Sequence, residues 1–240
     1  MPPMELKGWV RTSLIDYPDH ISCVLFTGGC NFRCPFCQNA DLVLRPAELP
    51  SLPLEEVWAY LERRRGQVDG VVLTGGEPTL QPDLLPFLRR LRSLPVAVKL
   101  DTNGYLPDVL DEALEEGLLD YVALDIKAPP EKYGLLSGRP GLDPTPICRS
   151  IALLKDSGLS YEFRTTVVPG LLTEEDIGAI ADFLSRLVGN APPLYVLQQF
   201  RPWGTLDPTL EQAQPYLPER LREVADRVRP YFRQVEVRGI

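Results

Sequence analysis

The sequence predicts an α/β protein whose parallel strands form a partial (β/α)6 barrel of the TIM-like kind. Six short apolar runs rich in β-forming residues recur along the chain, and amphipathic helical patterns lie between them. This alternation favours a parallel sheet with right-handed crossovers. Six units are too few for a closed eight-stranded barrel. An open partial barrel is therefore the preferred prediction, and a doubly wound sheet is the alternative.

The predicted strands are bounded by turn residues and helical segments. In chain order they are ISCVLF (21–26), GVVLT (70–74), VAVKLD (96–101), YVALDIK (121–127), YEFRTTVV (161–168) and LYVLQQF (194–200). A single domain of this size is ordinary for a parallel α/β protein. We therefore expect one domain over residues 1–240, with a core at about 18–200. An N-terminal strand or loop and a C-terminal helix plus strand are expected as extensions.

The predicted helices show apolar residues at helical spacing together with start or stop signals. The clearest is TEEDIGAIADFLSRLV (173–188), in which Thr173 and Asp176 make an N-terminal cap pair. PDVLDEALEEG (107–117) has proline in its first turn and ends at glycine. The same periodicity recurs in segments 54–65 and 217–228. It is less clean in segment 82–92, because Pro86 must fall in the first turn of that helix or kink it.

Composition excludes several classes of function. The 240-residue chain has a formal net charge of −8, which argues against a nucleic-acid partner. No run approaches the roughly 18 to 20 apolar residues that span a membrane, and the amino-terminal stretch has no apolar region typical of a secretory signal. The five cysteines do not indicate a disulfide framework. We expect a cytoplasmic protein with no membrane partner.

Polar and glycine-rich motifs follow four consecutive predicted strands. They are TGGCNFRC (27–34), TGGEPT (74–79), DTNG (101–104) and DIK (125–127). Any one of them is explained by a turn or a helix cap. Parallel α/β sheets bind ligands at the carboxyl ends of their strands. Four such motifs on one rim therefore predict a binding site there.

Three cysteines, Cys30, Cys34 and Cys37, lie at C-x3-C-x2-C spacing. Thiolates select zinc, copper(I) or iron–sulfur clusters, but a structural zinc site or a ferredoxin-type cluster takes four ligands. The other two cysteines, Cys23 and Cys148, are expected to be buried small hydrophobes. A [4Fe–4S] cluster held by three thiolates leaves one iron open to a substrate or cofactor. Zinc binding or a purely structural role is the alternative.

The cysteine motif CNFRCPFC has the C-x3-C-x-(aromatic)-C pattern of the radical S-adenosylmethionine (SAM) superfamily, and its GGEP motif follows one βα unit later. The resemblance extends from about Gly8 to Phe200. It includes SLIDYPDHISCVLFTGGCNFRCPFCQN, TGGEPTLQ, DTNG, LDIKAP, RTTVVPGLL and QQFRPWG. Together these segments resemble the glycyl-radical-enzyme activases, and most of all the anaerobic ribonucleoside-triphosphate reductase activating proteins.

The resemblance implies the radical SAM fold and a set of site residues. The three motif cysteines would be catalytic and would ligate a [4Fe–4S] cluster, whose open iron would chelate the amino and carboxylate groups of SAM. Phe36 would pack near the adenine, and Gly75, Gly76 and Glu77 would meet the methionyl ammonium. Further cofactor contacts would come from Asp101, Thr102, Asn103, Asp125 and Lys127.

The resemblance also implies a cation site and contacts with a partner protein, and the chain departs from some relatives at one position. Asp101, Thr102 and Asp125 would also bind a monovalent cation. Asp16 and Arg164 match positions that contact the glycine loop of a target protein. Some relatives have a cofactor-contacting histidine on the sixth strand, where this chain has LQQF. Gln198 or Gln199 is the candidate replacement.

The implied activity is reductive cleavage of SAM, after which a 5′-deoxyadenosyl radical installs a glycyl radical on a partner enzyme. The expected partner is an anaerobic ribonucleotide reductase, and the expected reductant is a flavodoxin or ferredoxin. A radical SAM enzyme acting on a small molecule, such as a deazapurine synthase, is the alternative. A non-enzymatic iron–sulfur or zinc module leaves GGEP, DTNG and DIK unexplained. The acidic charge disfavours an RNA-modifying enzyme.

Overall fold

The computed structural model of the chain describes residues 4–189 and 191–240. Its strands in that part of the chain are β1 (Leu6–Ser13), β2 (Ser22–Thr27), β3 (Gly70–Gly75), β4 (Ala97–Thr102), β5 (Tyr121–Asp125), β6 (Ser160–Val167), β7 (Leu194–Gln199) and β8 (Gln234–Arg238). Its α-helices are α1 (Ala40–Leu44), α2 (Leu54–Arg63), α3 (Leu84–Leu91), α4 (Pro107–Glu115), α5 (Tyr133–Leu136), α6 (Thr145–Asp156), α7 (Glu174–Val188) and α8 (Pro218–Val228).

The predicted parallel α/β class is confirmed. Each of the six predicted strands is present as one of β2 to β7, with no end shifted by more than two residues. The largest shift is at β5, which ends at Asp125 instead of residue 127. The expected extensions are β1 at the amino terminus and α8 with β8 at the carboxyl terminus. Among the described residues, no helix is long and apolar enough to cross a membrane.

The chain divides into two compact units, and the prediction of a single domain remains a prediction. The first unit holds the described residues up to Asn31 together with Asp41–Thr102 and Leu106–Ala123. The second holds Phe32–Ala40, Asn103–Tyr105 and the described residues from Leu124 onward. Residues predicted from the sequence as cofactor contacts occur in each unit, and each unit is described by itself below.

In the first unit, β1 runs antiparallel to β2, and β2, β3 and β4 are parallel neighbours in chain order. Apolar residues of these strands are buried on both faces of the sheet, as expected for parallel strands covered by helices. Examples are Cys23, Leu25, Val71, Val72, Leu73, Val98 and Leu100. The parallel arrangement places Thr27, Gly75 and Thr102 at the carboxyl ends of their strands.

In the second unit, β6, β7 and β8 are parallel neighbours. The predicted helix start at α7 is confirmed, because Thr173 and Asp176 form a reciprocal capping box. One face of this helix is buried, through Ile177, Ile180, Ala181 and Leu184. In the same unit Tyr195 stacks on Phe232 at 4.7 Å between ring centroids.

Candidate active site

The three motif cysteines lie in the loop after β2. Cys34 is buried, and Cys30 and Cys37 are half-buried. All five cysteines of the chain lie in the described part, and none is in a disulfide. The N–H of Cys37 donates to the carbonyl oxygen of Cys34 at 3.0 Å, so the second half of the motif is a tight turn. Reduced thiols on such a loop are suitable soft ligands for a cluster.

Backbone from the segment after β7 supports this turn within the second unit. The N–H of Leu206 donates to the carbonyl oxygen of Cys37 at 2.9 Å. The N–H of Asp207 donates to the carbonyl oxygen of Pro35 at 2.8 Å. The side chain of Gln38 donates to the Arg201 carbonyl at 3.0 Å. The segment holding the QQFRPWG motif therefore has a structural function that the sequence did not reveal.

A second support comes from the end of α5. The N–H of Arg33 donates to the carbonyl oxygen of Ser137 at 2.8 Å. Gly138 has φ +64°, and a Cβ on it would overlap the carbonyl oxygen of Arg33. Only glycine allows both the left-handed conformation and this close approach. Sequence reasoning missed Gly138, whose only local signal is the turn-like SGRP stretch.

Aromatic packing fixes the residues around the cysteines. Phe36, predicted to lie near the adenine, is buried. Phe32 is also buried and contacts the ring of Tyr105 at 5.5 Å between centroids. The Tyr105 N–H donates to Oδ1 of Asn103 at 3.0 Å. Asn103, a predicted cofactor contact, thus also shapes the turn after β4.

The glycine motif after β3 joins two strand ends of the first unit. The N–H of Gly76 donates to the carbonyl oxygen of Thr27 at 2.9 Å, and the N–H of Glu77 donates to the carbonyl oxygen of Gly29 at 2.8 Å. Gly75 has φ +116°. A Cβ on Gly76 would overlap the Gly29 carbonyl oxygen. The motif therefore needs glycine for close contact between main chains.

The carboxylate of Glu77 is 1% exposed and forms part of a buried hydrogen-bond network. Its Oε1 accepts from the Thr79 N–H at 3.1 Å and from the Thr79 hydroxyl at 2.6 Å. It also accepts from the hydroxyl of Thr102, at the end of β4, at 2.7 Å. Two predicted cofactor contacts, Glu77 and Thr102, are thus brought together. Their contact with SAM remains a prediction.

A second group of the first unit contains Asp101 and Asp16. Nζ of Lys99 forms an ion pair with Oδ1 of Asp101 at 2.9 Å and donates to the main-chain oxygen of Asp16 at 2.6 Å. Lys99 was not singled out from the sequence. The sequence feature that could have identified Lys99 is the presence of a charged residue between the apolar residues of a predicted strand.

In the second unit, Asp125 lies between two cations. Its Oδ1 accepts from Nε of Arg164 at 2.9 Å, and its Oδ2 accepts from Nζ of Lys127 at 3.0 Å. Burial of Asp125 opposes ionisation, but Arg164 and Lys127 outweigh it and lower the pKa of Asp125 to about 2. The carboxylate is therefore ionised at neutral pH.

The Lys127 ammonium also interacts with Cys34. Burial lowers the pKa of Lys127, but the charges of Asp125 and Cys34 raise it more, so the net shift is upward and the group stays protonated. A nearby cation stabilises a thiolate. Lys127 therefore favours the form of Cys34 that binds a metal.

The other sequence predictions have mixed outcomes. Cys23 is fully buried in β2, as predicted, and burial raises its pKa to about 12. The prediction for Cys148 was wrong, because this residue of α6 is only half-buried. Gln199 donates to the carbonyl of Tyr216 at 2.6 Å, and Gln198 donates weakly to that of Arg238 at 3.4 Å. Replacement of a family histidine by either glutamine remains untested.

Within residues 4–189 and 191–240, no three His, Cys, Asp or Glu side chains are arranged to hold a single metal ion. In a [4Fe–4S] cluster each cysteine binds a different iron. Such a cluster does not require its thiolates to converge on one point. The cluster-ligand role of the three motif cysteines therefore remains a prediction of the sequence.

Comparison with known families identifies the class of protein. Residues 24–184 match the Radical SAM superfamily, and the chain belongs to that superfamily. Its relatives include activating enzymes of glycyl-radical enzymes. A Methanocaldococcus jannaschii protein provisionally named as such an activating enzyme is 34% identical over 239 residues, which are 98% of this chain and 96% of that protein.

Two further relatives are more distant. The pyruvate formate-lyase-activating enzyme of Clostridium pasteurianum is 30% identical over 72% of this chain and 73% of its own length. A Pyrococcus abyssi protein provisionally named as a GTP 3′,8-cyclase is 30% identical over 50% of this chain and 39% of its own length.

Solved structures bear out the fold. SuiB of Streptococcus suis bound to SAM superposes with a TM-score of 0.66 at 17% identity, over 88% of this chain. This chain spans 48% of that longer protein. At this level of identity the likeness concerns the radical SAM α/β fold alone.

The residues fit the cofactors of the superfamily, a [4Fe–4S] cluster and SAM. Three reduced thiols lie on one loop, and the main chain at Gly76 leaves no space for a Cβ. The Lys127 cation interacts with Cys34. The chain is a radical SAM enzyme with these two cofactors.

Proposed function

We propose that the chain is a glycyl-radical-enzyme activase that reductively cleaves SAM and installs a glycyl radical on a partner protein. The observation that carries the proposal is the likeness to the M. jannaschii relative, which extends over nearly the full length of both chains. The pyruvate formate-lyase-activating enzyme supports the same class.

The chain's own residues would hold the cofactors and direct the chemistry. Cys30, Cys34 and Cys37 would ligate the cluster. When bound, the reduced cluster supplies the electron that cleaves SAM and yields a 5′-deoxyadenosyl radical. Gly75 and Gly76 would let the main chain approach the methionyl group closely. The buried network at Glu77 would keep that main chain fixed.

The Asp125 group would hold the charged and polar parts of SAM and of the target. Lys127 would balance the carboxylate of SAM while it interacts with Cys34. Asp125 fixes the guanidinium of Arg164 through its Nε, at 2.9 Å. Arg164 and Asp16 are the proposed contacts with the glycine loop of the partner. Orientation of this kind is how a protein directs a reactive radical to one hydrogen atom.

The proposed partner is an anaerobic ribonucleoside-triphosphate reductase, and the proposed electron donor is a flavodoxin or ferredoxin. Support for this reductase comes from the combined motifs SLIDYP, RTTVVPGLL and QQFRPWG. We also propose a cytoplasmic location, because the five reduced cysteines suit a reducing compartment.

A second candidate is a radical SAM enzyme acting on a small molecule, as a deazapurine synthase does. The likeness to the P. abyssi protein named as a GTP cyclase favours this class. That likeness is confined to half of the chain. The activase proposal accounts for nearly all of it and is therefore preferred.

Two measurements separate the candidates. The reconstituted, reduced protein is incubated with SAM without oxygen, and 5′-deoxyadenosine and methionine are measured. The candidate reductase is then added, and its electron paramagnetic resonance spectrum is recorded. We expect SAM cleavage and a glycyl doublet. A reductase that lacks the radical glycine should not give the doublet. Cleavage without a doublet would favour the small-molecule candidate, and an intact cluster without cleavage would contradict both.

A further inference from the structure

Lys99 is a fully buried lysine in the middle of β4. Its side chain is 1% exposed, between the buried apolar neighbours Val98 and Leu100. Lysine is almost never buried to this extent without a partner. A desolvated ammonium is costly unless it is paired and hydrogen-bonded. Its presence in this apolar strand therefore requires a reason.

The ammonium contacts three different elements of the first unit. It forms an ion pair with Oδ1 of Asp101, at 2.9 Å, two residues later on β4. It donates to the main-chain oxygen of Asp16, at 2.6 Å, in the loop after β1. It also lies 5.8 Å from the ring centroid of Tyr121, at the start of β5. One cation thus connects the middle of β4 with a loop residue 83 positions away in sequence.

The loop that Lys99 contacts is exposed at Leu14 and Ile15 and buried at Tyr17. The Asp16 carboxylate accepts from the Ser13 hydroxyl at 2.5 Å, so Lys99 binds the main chain of Asp16 and not its charge. Tyr17 is buried. In contrast, Leu14 and Ile15 are 72% and 86% exposed. The Lys99 contact therefore lies where the loop changes from exposed to buried.

We propose that Lys99 is a positioning residue, the built-in cation that orients Asp101 and fixes the Asp16 loop against it. The significance of these two groups rests on the proposed function, in which Asp101 contacts SAM and Asp16 contacts the target. The ammonium already supplies a positive charge at Asp101. SAM binding consequently needs no added monovalent cation at this carboxylate, contrary to the expectation from family resemblance.

The first test uses the cofactor-free chain and three variants: Lys99→Met, Lys99→Arg and, as a matched control on the exposed surface of α6, Lys155→Met. Hydrogen exchange is measured at the amides of residues 14–17. We expect about tenfold faster exchange in Lys99→Met, because loss of a hydrogen bond from a charged donor corresponds to at least that factor. Lys155→Met should match the wild type. Unchanged exchange in a folded Lys99→Met would overturn the proposal.

The second test measures SAM affinity of the cluster-loaded protein in potassium, sodium and tetramethylammonium salts. The wild type should bind SAM equally in all three. Lys99→Met should bind about tenfold more weakly in tetramethylammonium and recover in potassium, while Lys99→Arg should retain affinity. A lysine with only a structural role would weaken binding equally in every salt. That result, or a wild type that requires potassium, would overturn the proposal.

Neither test involves the partner protein. If no glycyl radical forms but Lys99→Met shows the salt-dependent loss, the proposed function fails and the Lys99 proposal stands. If the radical forms and Lys99→Met behaves as the wild type does, the Lys99 proposal fails and the proposed function stands. Should Lys99→Met not fold, Lys99→Gln takes its place in the second test, because it removes the charge that this test probes.

Discussion

The carbonyl oxygen of Gly29 accepts a hydrogen bond from the main-chain N–H of Glu77 at 2.8 Å, and it lies where a Cβ on residue 76 would be. The end of β2 and the end of β3 are therefore joined main chain to main chain. The loop that begins at Gly28 carries the first motif cysteine, Cys30. A backbone contact of this kind fixes where the loop starts without using any side chain.

Replacement of Gly76 by alanine should destabilise the chain by about 1–3 kcal/mol, because the new methyl group overlaps a backbone atom that cannot rotate away. Urea unfolding of the cofactor-free protein measures this change. Gly178→Ala in α7 is the control, since a Cβ there meets no atom within 4 Å. Alanine should be neutral or stabilising in that helix. Equal stabilities of the two variants would contradict the close contact.

Replacement of Gly138 by alanine should loosen the cysteine turn. The added Cβ overlaps the carbonyl oxygen of Arg33, so residues 32–40 must move. We expect faster amide exchange in these residues and reduced cluster content after reconstitution. Gly141→Ala is a matched control, because Gly141 also has a positive φ, +74°, but a Cβ there meets no atom within 4 Å. If both variants lose the same amount of cluster, backbone strain and not the Arg33 contact is responsible.

Cys34→Ala should lose the cluster and SAM cleavage, because three thiolates are the fewest that hold a [4Fe–4S] cluster with one open iron. Cys148→Ala should keep both, since this half-buried residue of α6 lies outside the motif. Iron and acid-labile sulfide per chain are the measurement. A full complement of iron in Cys34→Ala would refute the ligand assignment.

Asp125 should make stability depend on pH in the acid range. Its pKa falls from 3.8 to about 2 on folding, so its contribution is present above about pH 4 and is lost as the pH falls towards 2. Between about pH 4 and pH 2, the unfolding free energy of the wild type should fall by about 2 kcal/mol more than that of Asp125→Asn. Urea unfolding of both cofactor-free proteins at several pH values measures the difference. Parallel pH profiles would show that the Arg164 and Lys127 contacts do not stabilise the carboxylate.

The sequence by itself determined the strands, the parallel α/β class and the motifs at the strand ends. These features are local: β-rich runs, helical periodicity, and signals such as the Thr173–Asp176 capping box depend on residues close together in the chain. The spacing of the cysteines indicated a cluster with an open iron for the same reason. The family resemblance then named the cofactors, because its motifs are contiguous.

Only the tertiary structure decided which residues those motifs depend on. Nothing near Gly138 in sequence indicates that it touches Arg33, and nothing near Lys99 indicates that its ammonium reaches Asp16. Glu77 and Thr102 likewise meet only because β3 and β4 are neighbours in the sheet. Contacts between distant segments, and the burial of a charge that they make possible, are set by packing, which local sequence patterns do not encode.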